Sequence, residues 1–250
     1  MLRLLLLCLC FAGAARAETI VLGLSQDSVS ITATFDGDDI LIFGAVRRDA
    51  PAPTQSGDLG VIITVAGPDQ RLSVYRKARR LGIWVNTQEV EVDHAPSFYA
   101  VATSGPIRDV LRDTSDLRDS ITIPRAIRSV GTGVYDSEAF IEALIRIRGN
   151  ADLYQTQIGG VDLEQDTLFR ASFDLPANLT EGDYVARIFL TRDGVPIDES
   201  STIIPVQKVG LERWLYNLAH ADPLIYGFLS LIIAAAAGWA ASAGFAMLRR

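Results

Sequence analysis

The feature that most constrains this chain is a run of uncharged residues near its carboxyl end. Leu224 to Leu248 contain no charged side chain, and Arg249 and Arg250 follow directly. As a helix rising about 1.5 Å per residue, this run would extend roughly 37 Å, enough to cross a hydrocarbon layer about 30 Å thick. Segment 223–248 is therefore predicted to be a transmembrane helix, followed by the tail 249–250.

The opposite end of the chain has the form of a signal peptide. Arg3 is followed by an apolar stretch and then by the small residues Ala15 and Ala17, which resemble a signal-peptidase site. The apolar stretch, about nine residues, is too short to span a bilayer. We therefore expect residues 1–17 to be removed before Glu18, and both cysteines of the chain to leave with them.

Export of the amino terminus would leave the terminal arginines in the cytoplasm, as the positive-inside bias predicts. Without the four arginines in these two end segments, the 23 basic residues fall to 19 against 30 acidic ones. An acidic exported part argues against binding nucleic acid and against lying on anionic lipid. The expected location is the bacterial inner membrane, with the large amino-terminal part in the periplasm.

Short runs of β-branched and aromatic residues, separated by turn-forming residues, dominate the first hundred residues. In one of them Val29, Ile31 and Ala33 alternate with polar residues, the period of two that places one face of a strand on a core. Such runs predict about seven strands and an antiparallel sandwich. The predicted strands are 19–24, 28–34, 40–46, 60–66, 72–76, 82–85 and 98–102, with a tight turn at 36–39.

One amphipathic helix separates these strands from a second set. Phe140, Ile141 and Leu144 recur at helical spacing, and Gly149 is suited to end the helix. The second set, at 168–173, 183–191 and 197–206, resembles the end of an immunoglobulin-like or fibronectin-like sandwich. The chain should be mainly β, with a first β-sandwich domain at 18–105, a helical connector at 106–150 and a second β-rich domain at 151–208. The alternative is one larger sandwich in which the helix merely crosses an edge.

Residues 209–222 join the exported part to the membrane helix. Leucines share one side of this segment with Trp214, and Tyr216 can lie at the depth of the lipid headgroups. Aromatic side chains favour that depth because the ring is partly apolar while its donor seeks water. This segment is predicted to be interfacial.

The most distinctive polar cluster is Arg76, Lys77, Arg79 and Arg80, which stands in an otherwise acidic segment. Its plainest interpretation is a solvated hairpin tip. The functional alternative is a binding site for an anion or an acidic partner, because clustered guanidinium groups suit oxyanions and carboxylates.

The membrane helix carries small residues at a regular interval, since Ala234, Gly238 and Ser242 recur every four positions. Small residues in register let two helices approach closely in lipid. This face predicts either self-association or packing against another membrane protein. The alternative is a plain anchor in which alanine only fills space.

Recognisable catalytic patterns are missing from the sequence. Neither histidine, His94 or His220, has the spacing that assembles a metal site, and no phosphate loop or nucleophile elbow occurs. Asp93 beside His94 could supply a base, but such a pair is more often simply solvated. We expect no catalytic residues, no metal and no cofactor.

Several strings resemble an alphaproteobacterial family of transmembrane proteins with one carboxy-terminal helix, and the resemblance covers nearly the whole mature chain. It implies an exported domain with an anchor and transfers no catalytic residue. It also implies an accessory role beside an anion transporter, because genes of the family often neighbour a sulfite-exporter-type permease. The strings are Arg48–Pro53, Asp58–Val61, Arg80–Asn86, Pro96–Ala100, Thr167–Ala171, Leu175–Leu179, Arg187–Gly194 and Gly210–Tyr216.

Three hypotheses for function follow. The first is a non-enzymatic membrane protein whose periplasmic part accompanies another membrane protein, for which a sulfite-type anion exporter is one candidate. The second is a periplasmic module that binds a small anion through the basic cluster. The third is an envelope hydrolase that uses Asp93 and His94.

Overall fold

The computed structural model describes residues 18–32, 35–48, 57–128, 137–209 and 211–248. The predicted signal peptide and the tail 249–250 lie outside this part. The strands are β1 (Glu18–Leu24), β2 (Val29–Ile31), β3 (Gly37–Arg48), β4 (Leu59–Ala66), β5 (Asp69–Arg80), β6 (Ile83–Pro96), β7 (Tyr99–Thr103), β8 (Tyr154–Ile158), β9 (Asp162–Glu164), β10 (Leu168–Pro176), β11 (Gly182–Arg192) and β12 (Val195–Lys208). The helices are α1 (Ile107–Val110), α2 (Asp113–Asp119), α3 (Ile123–Ala126), α4 (Ser137–Gly149), α5 (Leu211–Ala221) and α6 (Pro223–Leu248). The predicted mainly β class is confirmed.

The largest sheet has the strand order β2-β12-β11-β4-β7-β8. β11 pairs antiparallel with β12 and β4, and β4 pairs antiparallel with β7, whereas β7 and β8 run parallel. The middle strands are apolar and buried on both faces, which is typical of a sheet covered on each side. Its core includes the fully buried Ile62, Ile63 and Ile188.

A second sheet has the order β1-β3-β10-β9, and its pairings are antiparallel. In β10, Phe169, Ala171, Phe173 and Leu175 are buried while the intervening residues are exposed. This alternation gives the sheet one core-facing side and one solvated side.

Short helices cover one face of the six-stranded sheet. The Tyr99 hydroxyl on β7 donates to the Ile121 carbonyl at 2.9 Å, and Arg187 on β11 donates to the carbonyl of Asp119, at the end of α2. Phe140 and Leu144, the buried residues of α4, follow the predicted helical spacing. The intervening helix is therefore confirmed, and α1 to α3 precede it.

Two local predictions are wrong. The tight turn at 36–39 does not join paired strands: Gly37 begins β3, which pairs with β1 and β10, whereas β2 belongs to the other sheet. The strands predicted at 72–76 and 82–85 extend much further, to Asp69–Arg80 and Ile83–Pro96. Alternation of apolar and polar residues predicts that a residue lies in a strand, but it does not predict which strand pairs with it or how long the strand is.

Strands from the two predicted β domains share the same sheets. β4 and β7, from segment 18–105, lie beside β11 and β8, from segment 151–208, and β3 lies beside β10. Among the described residues, 18–29 and 35–206 form one compact unit. This arrangement corresponds to the alternative of one larger assembly. The immunoglobulin-like or fibronectin-like identity of the strands stays a prediction.

Among the described residues, the second unit comprises 30–32, 207–209 and 211–248. It contains α5 and α6, which occupy the predicted interfacial segment and the predicted membrane helix. Pro223 begins α6, a position that proline favours because the first helical N–H has no partner within the helix. The predicted bounds of the membrane helix, 223–248, are those of α6.

Candidate functional site

The four predicted basic residues lie on an arm formed by β5 and β6, which pair with each other in a two-stranded sheet. The turn at its tip consists of Leu81 and Gly82, both with positive φ, at 50° and 87°. Two such residues match the turn type that fits the twist of a hairpin. The interpretation of this cluster as a hairpin tip agrees with the structure.

The arm divides the basic cluster between two faces, because successive strand residues point to opposite sides. Arg76 and Arg80 share one face, whereas Lys77 and Arg79 share the other. Across the ribbon, Arg79 faces Trp84 and Arg80 faces Ile83. Each face of the tip therefore carries a guanidinium group beside a large apolar side chain.

Arg76 has a different role from the other three cations. Its guanidinium carbon lies 4.7 Å from the centre of the Phe140 ring on α4, and its Nη1 donates to Gln88 Oε1 at 2.9 Å. A guanidinium over an aromatic face is an attractive cation–π contact. Arg76 thus holds the base of the arm against α4.

Asp93 and His94 are neighbours on β6, and successive strand residues point to opposite faces. His94 Nδ1 instead lies 3.6 Å from Asp69 Oδ2, and both side chains are at least half exposed. Within the described ranges, no group of three residues is suited to hold a metal ion. The absence of catalysis stays a prediction.

The small-residue face of α6 is open. The segment Pro223–Ser242 has a mean hydropathy of 1.9, and none of it is buried. A Cβ added at Gly238 would meet nothing within 4 Å. Ala234, Gly238 and Ser242 are all exposed and, at intervals of four, share one face of the helix.

A buried charge cluster escaped the sequence analysis. Arg192 Nη2 on β11 donates to Glu18 Oε2 at 2.6 Å, and Arg48 Nε on β3 donates to Glu18 Oε1 at 2.9 Å. Burial alone would raise the pKa of Glu18, but the hydrogen bonds and charges of Arg192 and Arg48 outweigh it and lower the pKa. No local motif signals this cluster because its members come from three strands far apart in sequence.

An apolar cleft of about 390 Å³ lies on the helix-covered side of the six-stranded sheet. None of its lining residues carries an ionisable side chain. Its lining consists of Val101, Ile107, Thr122, Ile123, Pro124, Ile145 and Thr156.

Comparison with known proteins identifies a matching family. A search of curated proteins found no match. A family whose description is "Putative transmembrane protein (Alph_Pro_TM)" matches residues 19–247. Because this match covers almost the whole chain, from β1 to the last turns of α6, the protein belongs to this alphaproteobacterial family of transmembrane proteins.

Proposed function

We propose that this protein is a non-enzymatic, single-pass protein of the inner membrane whose β-rich part lies in the periplasm and accompanies another membrane protein. The observation that carries the proposal is α6, an apolar helix that is long enough to span a bilayer and carries an open strip of small residues. Helices associate in lipid through close packing, which small residues permit. A helix used only as an anchor has no need of such a strip.

Two sequence features support the orientation. The signal-like amino terminus would direct the β-rich part across the membrane, and Arg249 and Arg250 would stay on the cytoplasmic side. With this topology, the β-rich part is a periplasmic domain tethered next to any protein that binds α6. The family resemblance suggests an exporter of a sulfite-type anion as the partner.

The test places a photo-crosslinking residue on α6 in native membranes and identifies the captured protein. Gly238→Leu and Ala234→Leu should each reduce capture about tenfold, because a bulky side chain separates the helices. Ala240→Leu is the matched control, since Ala240 lies about 200° around the helix from Gly238. Capture that is equal in all three variants would reject the packing face.

A second candidate function is the binding of a small anion by the arm. Arg76, Lys77, Arg79 and Arg80 favour it because no acidic residue occurs from position 76 to 88. Their division between two faces weighs against it, because one small anion can be reached from only one face. Calorimetric titration of the full chain in detergent with sulfite, sulfate and phosphate decides the matter: flat traces with all three anions would eliminate this candidate.

A further inference from the structure

We propose that the tip of the β5–β6 arm inserts into the headgroup layer of a bilayer that contains anionic phospholipid. Membrane binding by this tip is independent of the helix packing proposed for α6. Four observations carry the proposal: the projection of the arm, the apolar residues at its tip, the charges around them, and the similarity of its two faces.

The arm projects well beyond the core. Val74 and Val90 are the last buried pair along the ribbon, Arg76 packs on Phe140 just beyond them, and β5 continues four residues past Arg76, to Arg80. At about 3.3 Å per residue this last distance is roughly 13 Å. An isolated two-stranded hairpin is marginal in water. The contact between Arg76 and Phe140 therefore supports the arm near its base and leaves the tip accessible.

The tip exposes large apolar side chains. Leu81 is fully exposed, and Ile83 and Trp84 are 64% and 68% exposed. Leu81 also has a positive φ of 50°, a conformation that a leucine adopts only at a cost and that asparagine or glycine would adopt more easily. The leucine at this position therefore places a large apolar side chain at the apex of the hairpin, where asparagine or glycine would place none.

The charges at the tip are complementary to an acidic surface. Arg79 and Arg80 directly precede the turn, and the nearest acidic residue along β6 is Glu89. Glu89 pairs with Tyr75, five residues from Arg80, or about 16 Å along the strand. This separation exceeds the screening length of about 8 Å at physiological salt. The tip is therefore locally basic, although the exported part as a whole is acidic.

The similarity of the two faces favours a bilayer over a protein groove. A hairpin that docks on a protein normally presents one face, and its other face stays polar. Here one face carries Arg80 beside Ile83 and the other carries Arg79 beside Trp84. A lipid layer surrounds an inserted tip on all sides, so it can accommodate apolar groups and cations on both faces. Tryptophan also favours the interface because its ring is partly apolar and its N–H seeks water.

Because α6 would anchor the chain in the membrane, even a weak affinity of the tip for lipid would be enough to keep the tip bound. Because the β-rich part and α6 belong to one chain, binding of the tip to the same bilayer is intramolecular and benefits from a high effective concentration. Each cation near an anionic surface contributes roughly a fivefold preference. Removal of two cations should therefore lower the ratio of docked to undocked arms about 25-fold.

The test uses the full chain in vesicles with Trp84 as the sole tryptophan, after Trp214→Phe and Trp239→Phe. Vesicles of phosphatidylcholine, with or without phosphatidylglycerol, carry brominated acyl chains that quench a nearby indole. Anionic vesicles should quench Trp84 strongly and neutral ones weakly. The double substitution Arg79→Gln and Arg80→Gln should abolish most of the difference in Trp84 quenching between anionic and neutral vesicles. Arg118→Gln with Arg125→Gln removes the same charge from exposed positions elsewhere and should leave the quenching unchanged.

A depth control uses Tyr75→Trp together with Trp84→Phe, which moves the indole down the arm. This indole should be quenched little, because it lies nearer the base of the arm and therefore outside the bilayer. The proposal would be overturned if Trp84 were quenched neither in the vesicle that holds the protein nor after anionic vesicles are added. Equal quenching in neutral and anionic vesicles would overturn its electrostatic basis. Shielding of Trp84 from aqueous acrylamide without quenching by bromolipid would instead show that a protein covers the tip.

Discussion

Removal of the negative charge of Glu18 should destabilise the β-rich unit substantially. The Glu18 side chain is 6% exposed, and those of its partners Arg192 and Arg48 are 17% and 26% exposed. Removing one partner of a fully buried ion pair costs about 3–5 kcal/mol, and one charge-assisted hydrogen bond contributes about 1.5–3 kcal/mol. In a chain that keeps a residue ahead of position 18, Glu18→Gln preserves the shape of the side chain and removes only the charge. The preceding residue is needed because an amino-terminal glutamine cyclises onto its own α-amino group.

The remaining partners of the arginines reduce this cost. Arg192 also donates to the Gly57 carbonyl, and Arg48 also donates to the Asp166 carbonyl, so neither guanidinium group loses every partner in the variant. Both arginines are also partly in contact with water. We therefore expect Glu18→Gln to lower the free energy of unfolding by about 2–3 kcal/mol.

The pH dependence gives an independent check. The pKa of Glu18 in the folded protein lies below its ordinary value of 4.5, so folding favours the ionised form. The stabilisation is present above the pKa of the unfolded state and is lost as pH falls through the folded pKa. The difference in unfolding free energy between the native protein and Glu18→Gln should therefore be at its full value at pH 7 and should shrink as the pH falls below 4.5.

The assay is denaturant unfolding of the full chain in detergent, followed by the β-sheet signal in circular dichroism. Glu199→Gln is the matched control, because Glu199 makes a similar 2.9 Å ion pair with Arg187 but is 46% exposed. Exposed pairs contribute less than about 1 kcal/mol. If Glu18→Gln cost no more than Glu199→Gln, or if its cost stayed constant down to pH 3, the reasoning about the buried cluster would be refuted.

Two further predictions concern the core. Phe173→Ala should lower the free energy of unfolding by about 3–5 kcal/mol, because the ring is fully buried. The adjacent Ser172→Ala, on the solvated face of β10, should change it by less than about 0.5 kcal/mol. Equal costs of the two substitutions in denaturant unfolding would contradict the assigned faces of β10. Burial raises the pKa of Tyr99 to about 12, so folding favours its neutral form, and stability should decline as pH rises from 10 toward 12. In an alkaline absorbance titration, Tyr99→Phe should remove one of the late-ionising phenols, and loss of an early one instead would contradict this shift.

The membrane helix and the β class could be predicted because both depend on local composition and period. An uncharged run of this length has few alternatives to a membrane helix, and alternation along β10 identifies a strand with one buried face. Pairing cannot be predicted in this way. Nothing near β2 indicates that it joins the sheet of β12 instead of pairing with β3, because a partner strand is selected by packing across the whole unit.

The sequence carries a signal for the length of the arm that the predicted strand at 82–85 does not include. Val90 and Val92 alternate with Glu89 and Glu91, which is the period-two pattern of a strand that continues past Val85. A register shift at Thr87, where the ribbon pairing moves from Arg76–Gln88 to Lys77–Asn86, interrupts the regular pairing at this point. The buried cluster around Glu18 was not open to prediction in the same way, because 174 positions separate Glu18 from Arg192.

The arm also shows why a cluster in sequence is not a cluster in space. A strand turns consecutive residues to opposite sides, so the basic residues that are neighbours in this run diverge in space. Arg76 stacks on Phe140, and the cations nearest the turn divide between two faces. The same geometry that weakens a single-anion site gives the tip a basic and apolar character on both faces. The directions in which these cations point are thus determined by the strand that carries them, and sequence composition alone does not reveal them.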